Sequence, residues 1–209
     1  NQEHVADVIR EFGDFGYSEV GNYGNALYVG YSIESISLTY QGDTAKYGDE
    51  GQWYGLSVSA SSLSDHLNTR LTGSGNIVFR SGSDPLYVGS EGGDAASDYT
   101  GRTWVNGARI VFESDSAFGN TSALRIDDDG YVNLNGHQQT IGSLEAYGDN
   151  AMRGAEMSSL IITGNSTITG TNDEYKGSFV FASEGTGHVN DIVGLGQGDV
   201  FVGSSYTLE

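Results

Sequence analysis

The chain has 209 residues, no cysteine and a formal net charge of −19, from 28 acidic and nine basic side chains. This charge excludes the basic proteins that bind nucleic acids or anionic membrane surfaces, because both of these partners are themselves negative. The lack of cysteine excludes disulfides and thiolate sites.

The composition predicts a folded chain with many tight turns. It combines 32 glycines and one proline with 37% hydrophobic and 11% aromatic residues. The apolar share is enough to fill a narrow core, and the aromatic share is higher than in disordered acidic linkers. No apolar stretch approaches the roughly 18 residues of a membrane-spanning helix, so we expect no membrane insertion of this chain.

The first dozen residues predict one short amphipathic helix. Val5, Val8, Ile9 and Phe12 follow the i, i+3, i+4, i+7 spacing of an apolar helix face. We interpret residues 1–25 as a cap region, because the open end of a stack of strands exposes unpaired backbone and core side chains. Residues 26–209 form the strand-rich remainder.

Aromatic residues are unusually dense in the first quarter of the chain. They are Tyr17, Tyr23, Tyr28, Tyr31, Tyr40, Tyr47, Trp53 and Tyr54. A surface cluster of such rings binds sugars or proteins well, because each ring combines an apolar face with a hydrogen-bonding tip. The candidate binding residues are Tyr40, Tyr47, Trp53 and Tyr54. The alternative is that these rings fill the N-terminal part of the core.

Two segments, 41–54 and 82–97, concentrate Gly, Asp and Glu without alternation. They predict insertions between strands. Insertions are where repetitive β-structures often place recognition residues, and the alternative is that both segments are solvated turns.

Short alternating strands recur from residue 98 to residue 145. The predicted inward residues are Ala108, Ile110, Phe112, Leu124, Ile126, Val132 and Leu134. The predicted outward residues are Arg109, Glu113, Arg125, Asp127, Asn133 and Asn135. Such alternation gives each strand one dry and one wet face. We also predict a strand over 140–144. The pattern indicates either coils of a β-solenoid, about eight or nine of them at roughly 20 to 25 residues each, or a β-sandwich.

The same segment resembles the strand repeat of autotransporter passenger domains. The matching phrases cover residues 99–101, 105–107, 114–119 and 133–144, with fainter matches at 71–79 and 160–167. The resemblance covers about half of the chain. It implies an all-β, right-handed parallel β-helix that is secreted or displayed on the surface of a Gram-negative cell.

The function that this resemblance implies is adhesion without catalysis and without a cofactor. The expected partner is a host glycan, a host surface protein or a second copy of the chain. Within the matching phrase, Asn135 and Gly136 are expected to supply the left-handed backbone of a corner before His137.

The densest carboxylate cluster runs from Asp127 to Asp129. Carboxylates on a turn can hold calcium through hard oxygen ligands, so Asp127 and Asp129 are the candidate metal ligands. An EF-hand loop that starts at Asp127 needs a glutamate where Gln138 stands. We therefore expect a solvated turn and no metal, with calcium as the alternative.

Two further function classes remain as alternatives to an adhesin. Polysaccharide lyases and hydrolases share the β-helix fold and place acidic residues beside cations, an arrangement that Arg125, Asp127 and Asp129 imitate. A structural stalk is the other alternative. The Gly-Asp-Ser-Gly phrase of serine-protease passengers does not occur in the sequence.

Overall fold

The computed structural model describes residues 26–27, 35–38, 56–59, 66–68, 70–80, 84–89, 96–127, 129–182, 184–189 and 192–209. The helix predicted within the cap region 1–25 lies outside these residues. No helix in the described ranges is long and apolar enough to cross a membrane.

The described residues form twenty strands, which are arranged in three main parallel sheets and one strand pair. Sheet I contains β1 (Ala26–Leu27), β3 (Leu56–Ser59), β6 (Ile77–Arg80), β8 (Arg102–Asn106), β10 (Ala123–Asp127), β13 (Ser143–Tyr147), β16 (Ser166–Thr169), β18 (Gly185–Val189) and β20 (Tyr206–Leu208). Sheet II contains β4 (His66–Leu67), β7 (Leu86–Val88), β9 (Arg109–Phe112), β11 (Tyr131–Asn133) and β14 (Met152–Arg153). Sheet III contains β12 (Gln138–Ile141), β15 (Ser159–Ile162), β17 (Ser178–Phe181) and β19 (Val200–Val202). The separate pair is β2 (Ser35–Leu38) with β5 (Arg70–Gly73). A short 3-10 helix covers Ile192–Leu195.

Successive coils stack in register, which makes the fold a parallel β-helix. Ala123 pairs with Arg102 of the preceding coil on one side and with Ser143 of the following coil on the other. Every pairing between two described strands is parallel. This confirms the solenoid, and the sandwich alternative is wrong because a sandwich of this type pairs its strands antiparallel.

The core is a column of side chains between the three sheets. The seven predicted inward residues are all buried, and Ile110, Phe112, Ile126, Val132 and Leu134 have no exposed surface. The predicted outward residues are all half-buried or exposed. The alternation of apolar and polar residues therefore specified the two faces of β9, β10 and β11 correctly.

One predicted strand is wrong in its extent. Residues 140–144 do not form a single strand, because β12 ends at Ile141 in sheet III and β13 begins at Ser143 in sheet I. Gly142 lies at the corner between the two sheets. Its backbone N–H donates to the carbonyl oxygen of Thr121 at 2.9 Å in the preceding coil.

The corner after β11 has the predicted left-handed backbone. Asn135 has a φ of 50° and Gly136 has a φ of 89°. The side-chain amide of Asn135 donates to the carbonyl oxygen of Phe112 at 3.0 Å, which ties this corner to the preceding coil. The corner itself lies at the surface of the rod, because Asn135 is exposed and Gly136 is half-buried.

The predicted insertion at 82–97 is described only in part, and its residues Leu86–Val88 form β7, a regular strand of sheet II. Ile77 pairs with Thr103, so the coil between them is longer than the coil that joins Ala123 to Ser143, and β7 lies within it. The other predicted insertion, at 41–54, lies outside the described residues.

Candidate functional site

A groove of about 630 Å³ lies on the outer surface of the rod beside sheet II. Three successive coils supply its lining: Asn133 and Asn135 from the first, residues 153–157 from the second, and Glu174 and Lys176 from the third. The lining side chains carry amides, cations and carboxylates, which are groups that bind polar ligands.

The register of the coils explains why these residues meet. Asn133 of β11 pairs directly with Arg153 of β14, which lies one coil later in the chain. Gly154 in turn forms a parallel bridge with Tyr175 of the next coil. Residues with similar positions in successive coils therefore form one continuous surface.

Three contacts hold the side chain of Arg153 in the groove. Its guanidinium carbon lies 3.9 Å from the ring centroid of Tyr131, so the cation covers the face of the ring. One terminal nitrogen lies 3.0 Å from the carboxylate of Glu174, and Nε donates to the carbonyl oxygen of Asn150 at 3.2 Å. These contacts fix the floor of the groove before any ligand binds.

Exposed residues form the rim of the groove. Met157 is 85% exposed, and Glu156 and Lys176 are exposed as well. Within the described part of the chain, the carboxylate of Glu156 and the ammonium group of Lys176 have no hydrogen bond or ion pair. Both groups are therefore available to a ligand.

The groove has no net charge, although the chain carries −19. Its two cations, Arg153 and Lys176, balance the two carboxylates of Glu156 and Glu174. A ligand therefore meets hydrogen-bonding groups of both signs rather than a field of one sign.

The candidate metal ligand Asp127 is engaged in a different way. Its Oδ1 accepts a hydrogen bond from Nε1 of Trp104 at 2.8 Å, and its Oδ2 accepts one from Nε of Arg125 at 2.7 Å. Asp129 lies in an exposed turn with a φ of 62°. No group of three or more His, Cys, Asp or Glu residues that could hold a metal ion occurs among the residues that the structure describes.

The guanidinium of Arg125 also contacts two aromatic rings on the outer face of sheet I. Its central carbon lies 5.4 Å from the ring centroid of Trp104 and 5.7 Å from that of Tyr147. Burial raises the pKa of the Tyr147 hydroxyl, and the nearby carboxylate of Glu145 raises this pKa further. Arg125 and Asp127, two of the three residues in the lyase alternative, thus belong to a cross-coil cluster with Trp104.

The four aromatic candidates, Tyr40, Tyr47, Trp53 and Tyr54, lie outside the described residues. The sequence interpretation did not single out the groove, because Asn133, Arg153 and Glu174 belong to three different coils and are far apart in the chain. A signal was present in their spacing. The interval from Asn133 to Arg153 and the interval from Arg153 to Glu174 are nearly equal. An alignment of the chain with itself at that period therefore places these three residues side by side.

Two curated proteins of Escherichia coli strain K12 are similar to the chain. The uncharacterized protein YuaQ is 29% identical over 198 residues, which cover 86% of this chain and 14% of that protein. The uncharacterized lipoprotein YdeK is 25% identical over 227 aligned residues, which cover 99% of this chain and 16% of that protein. The chain thus spans about one sixth or less of the length of these relatives. No family model matches the chain, and no solved structure matches it.

Proposed function

We propose that the chain is a non-catalytic adhesion segment of the bacterial cell envelope that binds a neutral glycan in the groove beside sheet II. The observation that carries this proposal is the groove itself. It is preformed, has balanced charges and is bordered by Glu156 and Lys176, whose polar groups are available to a ligand.

The chemistry of the groove favours sugar hydroxyls over other ligands. A hydroxyl both donates and accepts hydrogen bonds, so it is satisfied by a carboxylate such as Glu156 and by a cation such as Lys176 alike. A strongly anionic polymer gains little here, because the two cations are balanced by two carboxylates and the whole chain is negative. The fixed position of Arg153 lowers the entropic cost of binding.

The proposed location rests on two supports of different kinds. The sequence phrases within residues 99–144 resemble those of autotransporter passengers, which are displayed outside Gram-negative cells. One similar protein is named as a lipoprotein, and lipoproteins are anchored to the cell envelope. We therefore propose a position at the cell surface, as part of a longer β-helical protein.

The test is binding of the purified chain to a glycan array, followed by calorimetry with the best ligand. The double variant Glu156→Ala/Lys176→Ala removes both rim groups without changing the net charge. We expect it to weaken glycan binding by at least about tenfold, since each lost hydrogen bond to a charged group is worth about 1.5–3 kcal/mol. The matched control is Arg102→Ala/Glu184→Ala, which also conserves net charge and changes exposed residues elsewhere.

The proposal fails if no glycan binds, or if the control variant weakens binding as much as the rim variant does. The hydrolase alternative is separated by a second assay on the same samples. Release of reducing or unsaturated sugars that is abolished by Asp127→Asn or Asp129→Asn, with the fold retained, would replace the adhesion proposal by a catalytic one.

A further inference from the structure

Sheet III differs from the other two sheets in carrying no charge. Its four strands read QQTI, SLII, SFVF and VFV and contain no Asp, Glu, Lys, Arg or His. Sheet I, in contrast, carries Arg125, Asp127 and Glu145 on two adjacent strands, and sheet II carries Arg109 and Arg153.

The outer surface of sheet III has an apolar column at its centre. The register aligns Thr140, Ile161, Val180 and Phe201 in successive coils. The strand neighbours of Thr140, Ile161 and Val180 are buried, so these three side chains face outward. Phe201 continues the column in β19, where Val200 and Val202 beside it are also exposed. Thr140, Ile161 and Val180 are half-buried, and Phe201 is 54% exposed.

Small residues on both sides of this column make the surface flat. Ser159, Ser178 and the exposed Asp199 lie on one side, and Thr163, Ala182 and Gly203 lie on the other. We call the column and its two flanks the sheet III strip.

We infer that the sheet III strip is a contact surface between two copies of this chain. Two copies that each carry −19 repel one another, and this repulsion is strongest where carboxylates of the two copies face each other. The strip carries one charged side chain, Asp199 at the edge of its last coil, so the apolar side chains at its centre can meet without opposing charges. Contact there also removes Ile161, Val180 and Phe201 from water, which is favourable in proportion to the apolar area buried.

The size of the strip sets the strength of this contact. Four strands spaced about 4.8 Å apart and about five residues wide at about 3.3 Å each cover roughly 300 Å² per copy. The two copies together bury roughly 600 Å², which is below the range of about 1,200–2,000 Å² for stable complexes. The pair is therefore weak and reversible in solution, and it becomes important where many copies are held close together.

The experiment is sedimentation equilibrium of the 209-residue chain from about 5 µM to about 500 µM. We expect monomers at the low end and a reversible monomer–dimer equilibrium at the high end. Val180→Glu places a carboxylate at the centre of the strip, opposite its copy, and we expect it to weaken dimerisation by at least about tenfold. Thermal unfolding of each variant verifies that the fold is retained.

Val111→Glu is the matched control. Val111 is half-buried and faces outward from β9 in sheet II, so the substitution has the same chemistry and the same change in net charge. We expect it to leave dimerisation unchanged, and we expect the same of the groove variant Glu156→Ala/Lys176→Ala. Monomers at every concentration would overturn the inference, and so would equal losses in Val180→Glu and Val111→Glu.

Discussion

The indole nitrogen of Trp104 donates a hydrogen bond of 2.8 Å to the carboxylate of Asp127 in the next coil. Trp104 is only 5% exposed, although it lies on the outer face of sheet I, because Val78 and Ala123 pack beside it. The second oxygen of Asp127 binds Arg125. A carboxylate expected from the sequence to lie in a solvated turn, with calcium binding as the alternative, thus connects two coils.

This arrangement predicts that Asp127 contributes to stability rather than to metal binding. Asp127→Ala removes the carboxylate that accepts hydrogen bonds from the indole N–H of Trp104 and from Nε of Arg125. We expect a loss of about 1–3 kcal/mol in the free energy of unfolding, measured by urea denaturation. Asp129→Asn is the control and should change the value by less than about 0.5 kcal/mol, because Asp129 is exposed and Asn tolerates its left-handed backbone. Equal losses, or a rise in melting temperature with calcium, would contradict this prediction.

The stacked core predicts a large effect at Phe112. This side chain has no exposed surface, and its ring contacts Phe118 edge to face with a centroid distance of 4.8 Å. Phe112→Ala creates a cavity between coils, and we expect a loss of about 3–5 kcal/mol. Val111→Ala, one position earlier and facing outward, should cost less than about 1 kcal/mol. Similar losses in the two variants would mean that β9 does not pack as described.

Close approach between coils predicts intolerance at Gly142. A Cβ atom added there would lie 2.0 Å from the carbonyl oxygen of Ser122, a distance that forces the backbone to move. We expect Gly142→Ala to lower stability by about 1–3 kcal/mol, as overpacking does. At Gly164 the nearest atom would be 3.2 Å away, so Gly164→Ala is a milder control. Denaturation curves of the two variants give the comparison, and a larger loss at Gly164 would contradict the described stacking.

Hydrogen bonding across coils predicts a lowered pKa at Asp149. Its carboxylate accepts hydrogen bonds from the backbone N–H of Thr171 at 2.9 Å and from the Thr171 hydroxyl at 3.1 Å, and both bonds favour the charged form. The pKa of Asp149 is lower in the folded state, so the resulting stabilisation is present above the unfolded pKa and is lost as pH falls through the folded pKa.

Thr171→Val tests this pKa directly, because it removes the hydroxyl and keeps the backbone donor. We expect NMR titration of the Asp149 carboxyl carbon to show a pKa that rises toward the usual value for Asp. Thr167→Val, on the outer face of sheet I, is the control and should not move it. An unchanged titration in Thr171→Val would exclude the hydroxyl as a cause of the shift.

The alternation in the sequence was sufficient to predict the inward and outward faces of the central strands, whereas the solenoid was favoured over a sandwich by the resemblance to passenger domains. Alternation is a local property, and residues such as Ile110 and Phe112 follow it strictly. Gln139 shows its limit. It is fully buried at an inward position, where its amide donates to the carbonyl oxygen of Gly119 and its oxygen accepts from the backbone N–H of Phe118.

The groove and the sheet III strip were harder to predict, because both depend on which residues stack. Stacking partners follow from coil length, which changes from one coil to the next. The interval from Leu144 to its partner Ser166 is longer than the interval from Ala123 to its partner Ser143. An error of one residue reverses the inward and outward assignments, so the outer columns become visible only when each turn is placed.

Ionic strength provides a further prediction for the pairing of two copies. The sheet III strip carries no ion pairs that salt can weaken, while the rest of each copy contributes to a net charge of −19. Salt therefore screens only repulsion, and the Debye length falls from about 30 Å at 0.01 M to about 10 Å at 0.1 M and about 3 Å at 1 M. We expect the dimer fraction at a fixed protein concentration to rise with sodium chloride over this range, measured by sedimentation equilibrium.

In Val180→Glu the dimer should recover only in part at high salt, because a carboxylate buried in the contact is desolvated as well as repelled. A dimer that is tighter at low salt would show that complementary charged patches join the copies, and that the sheet III strip is not the contact surface.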